Sequence, residues 1–130
     1  MASNDFMVAA QLLAAAKNAD IQQVQALVNN GANVNFVEPV GEGTIKVRTY
    51  EKGVEDETFA CGTGIVASCI ASFVNGLKPS EICQDGRVRY DVKAKRDVLS
   101  VDFIPSENLV AEDVWLTGPA TFVAEIIVEL

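Results

Sequence analysis

One helical segment without a charged residue constrains the fold of this chain more than any other feature. Apolar and small residues fill positions 62–75, and Gly76 and Pro79 follow as typical signals for the end of a helix. No face of such a helix can be exposed to water at low cost, so other elements must cover it on several sides. The sequence therefore predicts a helix enclosed by the segments before and after it.

Those segments show the period-two pattern of β-strands. Apolar and polar residues alternate over positions 45–50 and 87–92, and further strands are predicted at positions 98–104, 110–116 and 122–130. The predicted fold class is α+β, with a strongly curved, mostly antiparallel sheet wrapped around one central helix. The first 32 residues differ, because their apolar residues recur with helical spacing and Gly31 is placed as a helix stop. We therefore divide the chain into a helical hairpin, residues 1–32, and a domain of residues 33–130.

Composition excludes several classes of function. The chain of 130 residues contains no histidine, which excludes Ser–His and Cys–His catalysis and most transition-metal sites. Its net charge of −8 argues against a nucleic-acid partner. Three cysteines without framework spacing indicate a reducing compartment and no structural zinc. With no leader-like N terminus and no apolar run of membrane length, we expect a cytoplasmic protein with no membrane partner.

Cys61 stands where the charge-free helix begins, in the sequence Cys61-Gly62-Thr63-Gly64. The free backbone N–H groups of a first helical turn and the positive end of the helix dipole stabilise a thiolate and bind a carboxylate alike. This pattern favours acid–base chemistry on an amino or keto acid. The alternative is tight packing, since many cysteines are small buried hydrophobic residues. We assign that packing role to Cys69 and Cys83.

Residues 33–130 resemble the C-terminal half of diaminopimelate epimerase. Four motifs carry the resemblance, in the expected order: NVNF at residues 33–36, RTYEKGV at 48–54, ETFACGTG at 57–64 and WLTGPA at 115–120. In that family two cysteines face the substrate α-carbon from opposite sides, one removing the α-proton and the other returning one. The reaction uses neither pyridoxal phosphate nor a metal, so the resemblance implies no cofactor.

The resemblance also implies a set of site residues. Cys61 matches the family's second acid–base cysteine, and Gly62 and Thr63 match residues whose backbone N–H groups hold the α-carboxylate of the amino-acid substrate. Asn33 and the Glu51-Lys52 pair match residues that meet the far end of the substrate. The family usually has arginine where Lys52 stands, and lysine lacks the planar fork that grips a carboxylate with two bonds.

Residues 8–35 resemble an ankyrin repeat instead, through LLAAAKNAD at 12–20 and VQALVNNGANVN at 24–35. The two resemblances overlap at residues 31–35, which suggests a natural or engineered chimera. A shorter likeness points the other way, because NDFMV at residues 4–8 resembles the opening strand of the epimerase, whose asparagine touches substrate. Since a lone repeat cannot bury its apolar stripe, the hairpin must pack on the sheet, on its twin or on a partner, and we favour the sheet.

Inversion at a carbon needs a base on one face and an acid on the other. The chain lacks the half that supplies the family's first cysteine, which leaves two outcomes. Two copies related by a twofold axis could bring two Cys61 thiols together in a homodimer. Otherwise the site is silent, and the chain is a structural or protein-interaction module on an epimerase-derived scaffold.

Overall fold

The computed structural model describes residues 22, 34–51, 53–54, 56–107 and 110–130. Apart from Gln22, the predicted hairpin of residues 1–32 lies outside the described residues, and so do Asn33 and Lys52. The ankyrin-like hairpin and its boundary with the following domain therefore remain predictions.

Residues 34–117 form seven strands and a helix, and the predicted α+β class is confirmed. The elements are β1 Val34–Gly41, β2 Thr44–Glu51, β3 Asp56–Thr58, α1 Gly62–Val74, β4 Glu81–Ile82, β5 Val88–Lys93, β6 Val98–Ser106 and β7 Val110–Thr117. The predicted helix and four of the five predicted strands are present with small shifts of their ends. The sequence pattern predicted no strand at the positions of β1, β3 or β4.

The prediction of a strand at residues 122–130 is wrong, because residues 118–130 adopt no regular secondary structure and are exposed. Thr117 at the end of β7 pairs with Ser100, only two residues after β6 begins at Val98. The alternating apolar pattern beyond Thr117 therefore has no strand beside it in the described part of the chain. A period-two sequence forms a strand only where a partner supplies the hydrogen bonds.

The strands form one open, mixed sheet. Its order is β1-β2-β5-β6-β7, with β3 also paired to β2 and β4 to β5. The β2–β5 pair is parallel and every other pair is antiparallel, so the sheet is mostly antiparallel, as predicted. The crossover between the parallel strands runs through α1, which follows β3 and precedes β5. This connection places the helix against one face of the sheet.

The hydrophobic core lies between α1 and strands β2, β5 and β6. The ring of Phe103 meets Phe73 edge to face at 5.7 Å and stacks on Tyr90 at 6.3 Å. The Tyr90 hydroxyl donates a hydrogen bond to the carbonyl of Leu77, so its one polar atom is satisfied. The buried apolar residues of this core are Ile45, Val47, Ile65, Cys69, Val88, Tyr90, Val92, Val101 and Phe103.

The described strands cover one side of α1. Its buried residues, which recur with helical spacing, are Gly64, Ile65, Ser68, Cys69 and Ser72. The hydroxyls of Ser68 and Ser72 each donate to the carbonyl four residues earlier, at 2.7 Å, which satisfies them inside the core. Thr63, Ala67 and Val74 are exposed on the other side. Among the described residues, the predicted enclosure of the helix is therefore realised on its sheet-facing side.

Candidate functional site

Cys61 caps the N terminus of α1. Its backbone is extended, with φ −119° and ψ 107°, and its carbonyl accepts the first helical hydrogen bond from the N–H of Ile65 at 2.8 Å. The cysteine side chain makes no capping bond, and the first turn contains no acidic residue. The N–H groups of the first residues of a helix have no partner within the helix. Their partial positive charge is therefore not offset by the cap or by the first turn itself.

The thiol of Cys61 is half-buried, and its Sγ lies 3.5 Å from Oγ1 of Thr63. Thr63 is exposed, so this pair of polar groups borders solvent. The structure thus brings together three of the predicted site residues, Cys61, Gly62 and Thr63, at one helix end. The arrangement can present a sulfur and backbone N–H groups to one small anionic molecule.

The other two cysteines differ from Cys61 in ways that matter for chemistry. Cys69 is fully buried in the core, as predicted, and burial raises the pKa of its thiol to about 12. Cys83 is half-buried at the turn between β4 and β5, where its N–H donates to the carbonyl of Arg87 at 2.8 Å. The packing role predicted for Cys83 therefore applies only in part.

Two glycines allow the first turn of α1 to approach its neighbours. A methyl group on Gly62 would lie 3.2 Å from Cδ2 of Leu116 on β7. A methyl group on Gly64 would overlap the side-chain amide of Asn35 on β1. Asn35 accepts a hydrogen bond at 2.7 Å from the hydroxyl of Thr49, its register partner on β2. The helix end that carries Cys61 thus rests directly on a polar cluster of the sheet.

Glu51, another predicted site residue, lies at the end of β2 and pairs with Asp56 on β3. It is half-buried, and its carbonyl accepts a hydrogen bond from the N–H of Val54 at 3.3 Å. Strand β3 ends at Thr58, three residues before Cys61, so the β2–β3 pair delivers the chain to the helix cap. The structure shows no bond between Glu51 and the cap, and its predicted contact with substrate remains a prediction, as do those of Asn33 and Lys52.

Three polar residues near the cap were absent from the predicted set. Asn35, Thr49 and Thr58 share the helix-facing side of the β1–β2–β3 strands, because Thr49 pairs in register with both of the others. The Thr58 hydroxyl oxygen is buried and has no hydrogen-bond partner among the described residues. All three lie inside the motifs that carry the family resemblance, but only the strand register brings them together.

Cations flank the segment that enters the cap. The ring of Phe59, two residues before Cys61, carries Lys95 Nζ at 5.7 Å and the Arg96 guanidinium at 4.4 Å from its centroid. Glu57 on β3 binds Arg48 and lies 3.5 Å from Lys95, and the bond to Arg48 lowers the pKa of that carboxyl to about 2. The register of β2 and β3 puts Glu57 beside Tyr50, on the side of the sheet opposite Thr49.

Two open cavities lie away from the cap. One, of about 380 Å³, is lined by Arg87, Arg89, Asp102, Trp115 and Thr117. The other, of about 400 Å³, lies between the end of α1 and the β6–β7 connection. The two arginines of the first cavity are already paired with carboxylates, Arg89 with Asp102 at 2.7 Å and Arg87 with Asp113. Neither cavity includes Cys61 among its lining residues.

The described residues contain neither a group of metal-binding side chains nor a membrane-length helix. Across residues 34–51, 53–54, 56–107 and 110–130, no three or more cysteine, aspartate or glutamate side chains are grouped to hold a metal ion. Within the same ranges, no helix is long and apolar enough to cross a membrane.

Comparison with known proteins identifies relatives of this arrangement. The family model described as diaminopimelate epimerase matches residues 4–106. Diaminopimelate epimerase from Aquifex aeolicus is 50% identical over 91 residues, which cover 68% of this chain and 28% of that protein. The enzyme of the same name from Chlorobaculum tepidum is 38% identical over 110 residues, covering 85% of this chain and 39% of that protein. The chain thus spans less than half the length of these relatives.

Proposed function

Because the chain belongs to the diaminopimelate epimerase family, we propose that it carries half of a cofactor-independent isomerase site. Cys61 is the acid–base group that moves a proton to or from the α-carbon of an amino acid. The observation that carries this proposal is the position of its sulfur, half-buried at a helix N terminus that holds no acidic residue. A thiolate and a substrate carboxylate are both stabilised there by the same uncompensated N–H groups.

The substrate contacts follow from this placement. The N–H groups of Gly62 and Thr63, the first two residues of α1, bind the α-carboxylate and bring the α-carbon to the sulfur of Cys61. Glu51, together with Lys52 and Asn33, meets the polar groups at the far end of the substrate. The guanidinium of Arg96 lies over the ring of Phe59, two residues before Cys61, and its positive charge favours an anionic substrate.

One thiol is insufficient for inversion, and among the described residues only Cys61 places a sulfur at this helix end. Cys69 is buried eight residues further along α1, about 12 Å away at the rise of an α-helix. We propose that a second copy of the chain supplies the opposing thiol in a homodimer. The proton removed by one Cys61 is then replaced from the other face by its twin.

The test uses the purified chain with LL-diaminopimelate in deuterated water, followed by mass spectrometry of the amino acid. We expect deuterium at the α-carbon, with a rate per chain that rises with protein concentration as dimers form. Cys61→Ser should abolish the exchange, whereas the matched variant Cys83→Ser should retain it. Absence of exchange at every protein concentration would refute catalysis by the homodimer.

A second candidate function is a silent interaction module, and the C-terminal segment favours it. Phe122, Ile126 and Ile127 are 84%, 80% and 90% exposed, a density of apolar surface typical of regions that another protein covers. Alkylation with iodoacetamide separates the two functions. If Cys61 reacts much faster than Cys83 and diaminopimelate protects it, the half-site binds substrate. Equal and unprotected labelling supports the interaction module.

A further inference from the structure

The side-chain amide of Asn35 packs against the N-terminal turn of α1, which begins next to Cys61. A methyl group at Gly64 would overlap Oδ1 of Asn35 and lie 3.0 Å from its Cγ and 3.1 Å from its Nδ2. Gly64 therefore presents bare backbone to the end of the Asn35 side chain, and a methyl group there would force the amide or the helix to shift. The first turn of α1 and strand β1 are in direct contact at this point.

The amide itself is held by the neighbouring strand. The Thr49 hydroxyl, on a side chain that is 3% exposed, donates to Oδ1 of Asn35 at 2.7 Å. Thr49 and Asn35 are register partners of the β1–β2 pair, so the backbone ladder fixes the distance between them. A buried hydroxyl bonded to an amide in this way leaves the amide little freedom to rotate.

Gly64 lies three residues, almost one helical turn, after Cys61, so its location sets the location of the cap. Between the cap and the amide there is only the first turn, whose N–H groups are the proposed carboxylate site. We propose that Asn35, held by Thr49, is a positioning residue that aims the Cys61 thiol and the N–H groups of Gly62 and Thr63. The inference rests on the proposed acid–base role of Cys61 and adds the contact that maintains its geometry.

The experiment measures the ratio of the alkylation rates of Cys61 and Cys83 with iodoacetamide, by peptide mass spectrometry and without substrate. Thr49→Val removes the hydroxyl and nearly keeps the shape of the side chain. We expect it to lower the ratio about two- to fivefold, the range that a helix N terminus contributes to stabilising an anion. Thr49→Ser restores the hydroxyl and should restore most of the ratio. Thr44→Val, at the opposite end of β2, is the matched control and should leave the ratio unchanged.

A purely structural role would lower the thermal midpoint of Thr49→Val without moving the ratio, and an unchanged or increased ratio overturns the proposal. If Thr49→Val loses the far-UV circular dichroism of the folded chain, Asn35→Ala replaces it. This variant removes the amide that contacts the backbone of Gly64. The ratio should fall here as well, and no fall overturns the proposal.

Different measurements test the positioning role of Asn35 and the proposed isomerase function. Deuterium exchange and protection by diaminopimelate report on substrate chemistry, whereas the alkylation ratio is measured without substrate. If diaminopimelate protects Cys61 but Thr49→Val leaves the ratio unchanged, the proposed function stands and the positioning role of Asn35 is refuted. If Thr49→Val lowers the ratio but neither exchange nor protection is seen, the positioning role stands and the isomerase site is refuted.

Discussion

The first turn and the middle of α1 are held to the sheet in opposite ways. In the middle, Ile65 and Cys69 are buried in the apolar core with Tyr90, Phe103 and their neighbours. In the first turn, bare glycine backbone rests on the Asn35 amide, and the Cys61 thiol borders solvent. Cys69 is fully buried, whereas Cys61 at the helix end is only half-buried. The exposure of a thiol on this helix therefore depends on its position along the axis.

The largest expected effect comes from disrupting the apolar contacts beside the middle of α1. Phe103→Ala removes a fully buried ring that contacts both Phe73 and Tyr90, and we expect it to lower the free energy of unfolding by about 3–5 kcal/mol. The measurement is urea unfolding followed by tryptophan fluorescence. Phe36→Ala is the matched control, since that ring is 62% exposed and its removal should change stability by less than about 0.5 kcal/mol. Similar losses in both variants would mean that the core is not where stability resides.

An intermediate effect on stability is expected from substitutions in the first turn of α1. Alanine is intrinsically better than glycine within a helix by about 1 kcal/mol. Gly64→Ala should nevertheless lower the free energy of unfolding by about 1–3 kcal/mol, because its methyl group overlaps the Asn35 amide. Gly62→Ala should be nearly neutral, since it meets only the flexible end of Leu116.

Urea unfolding measures the stability of the two alanine variants and of the double variant Gly64→Ala/Asn35→Ala. Removing the amide makes room for the methyl group, so the double variant should be more stable than Gly64→Ala alone. A Gly64→Ala chain as stable as the unmodified protein would show that the contact between the helix and Asn35 is not close.

A further effect depends on pH and concerns the buried groups of the core. Burial raises the pKa of the Cys69 thiol from 9.0 to about 12, and that of the Tyr90 hydroxyl from 10.0 to about 12. Between about pH 9 and pH 12 the unfolded chain loses these protons while the folded chain keeps them. The free energy of unfolding therefore falls as pH rises through this window and is unaffected by these groups below it.

The urea midpoint at a series of pH values measures this dependence. Cys69→Ala should make the decline above pH 9 shallower than in the unmodified protein. An identical slope in the two proteins would mean that the thiol of Cys69 is not kept neutral by the core.

Periodicity predicted the central elements of the fold because burial on one face leaves a direct trace in the sequence. Ile45, Val47 and Thr49 alternate with outward-facing residues on β2, and all three are buried. The same pattern at residues 122–130 predicted a strand wrongly, since alternation records a preference and not the presence of a partner strand. Short β3 and β4 have too few residues to show a period at all.

The candidate site was predicted in part. Cys61 was placed correctly at the start of a helix, because a glycine-flanked residue before a long apolar run is a local signal. Asn35 and Thr49 were missed, because their meeting depends on the β1–β2 register, a relation between residues fourteen positions apart. Asn33 and Lys52 lie outside the described residues, so their predicted roles stay predictions.

The sequence by itself determined that a charge-free helix must pack against strands, that a cysteine caps it, and that no histidine can share its chemistry. These are local properties, set by which side chains tolerate water. Only the tertiary structure decided that the Cys61 thiol borders solvent, that the helix is covered on its sheet-facing side by the described strands, and that an asparagine amide contacts its first turn. Such contacts arise from register and close approach, which depend on the whole sheet and leave no local mark in the chain.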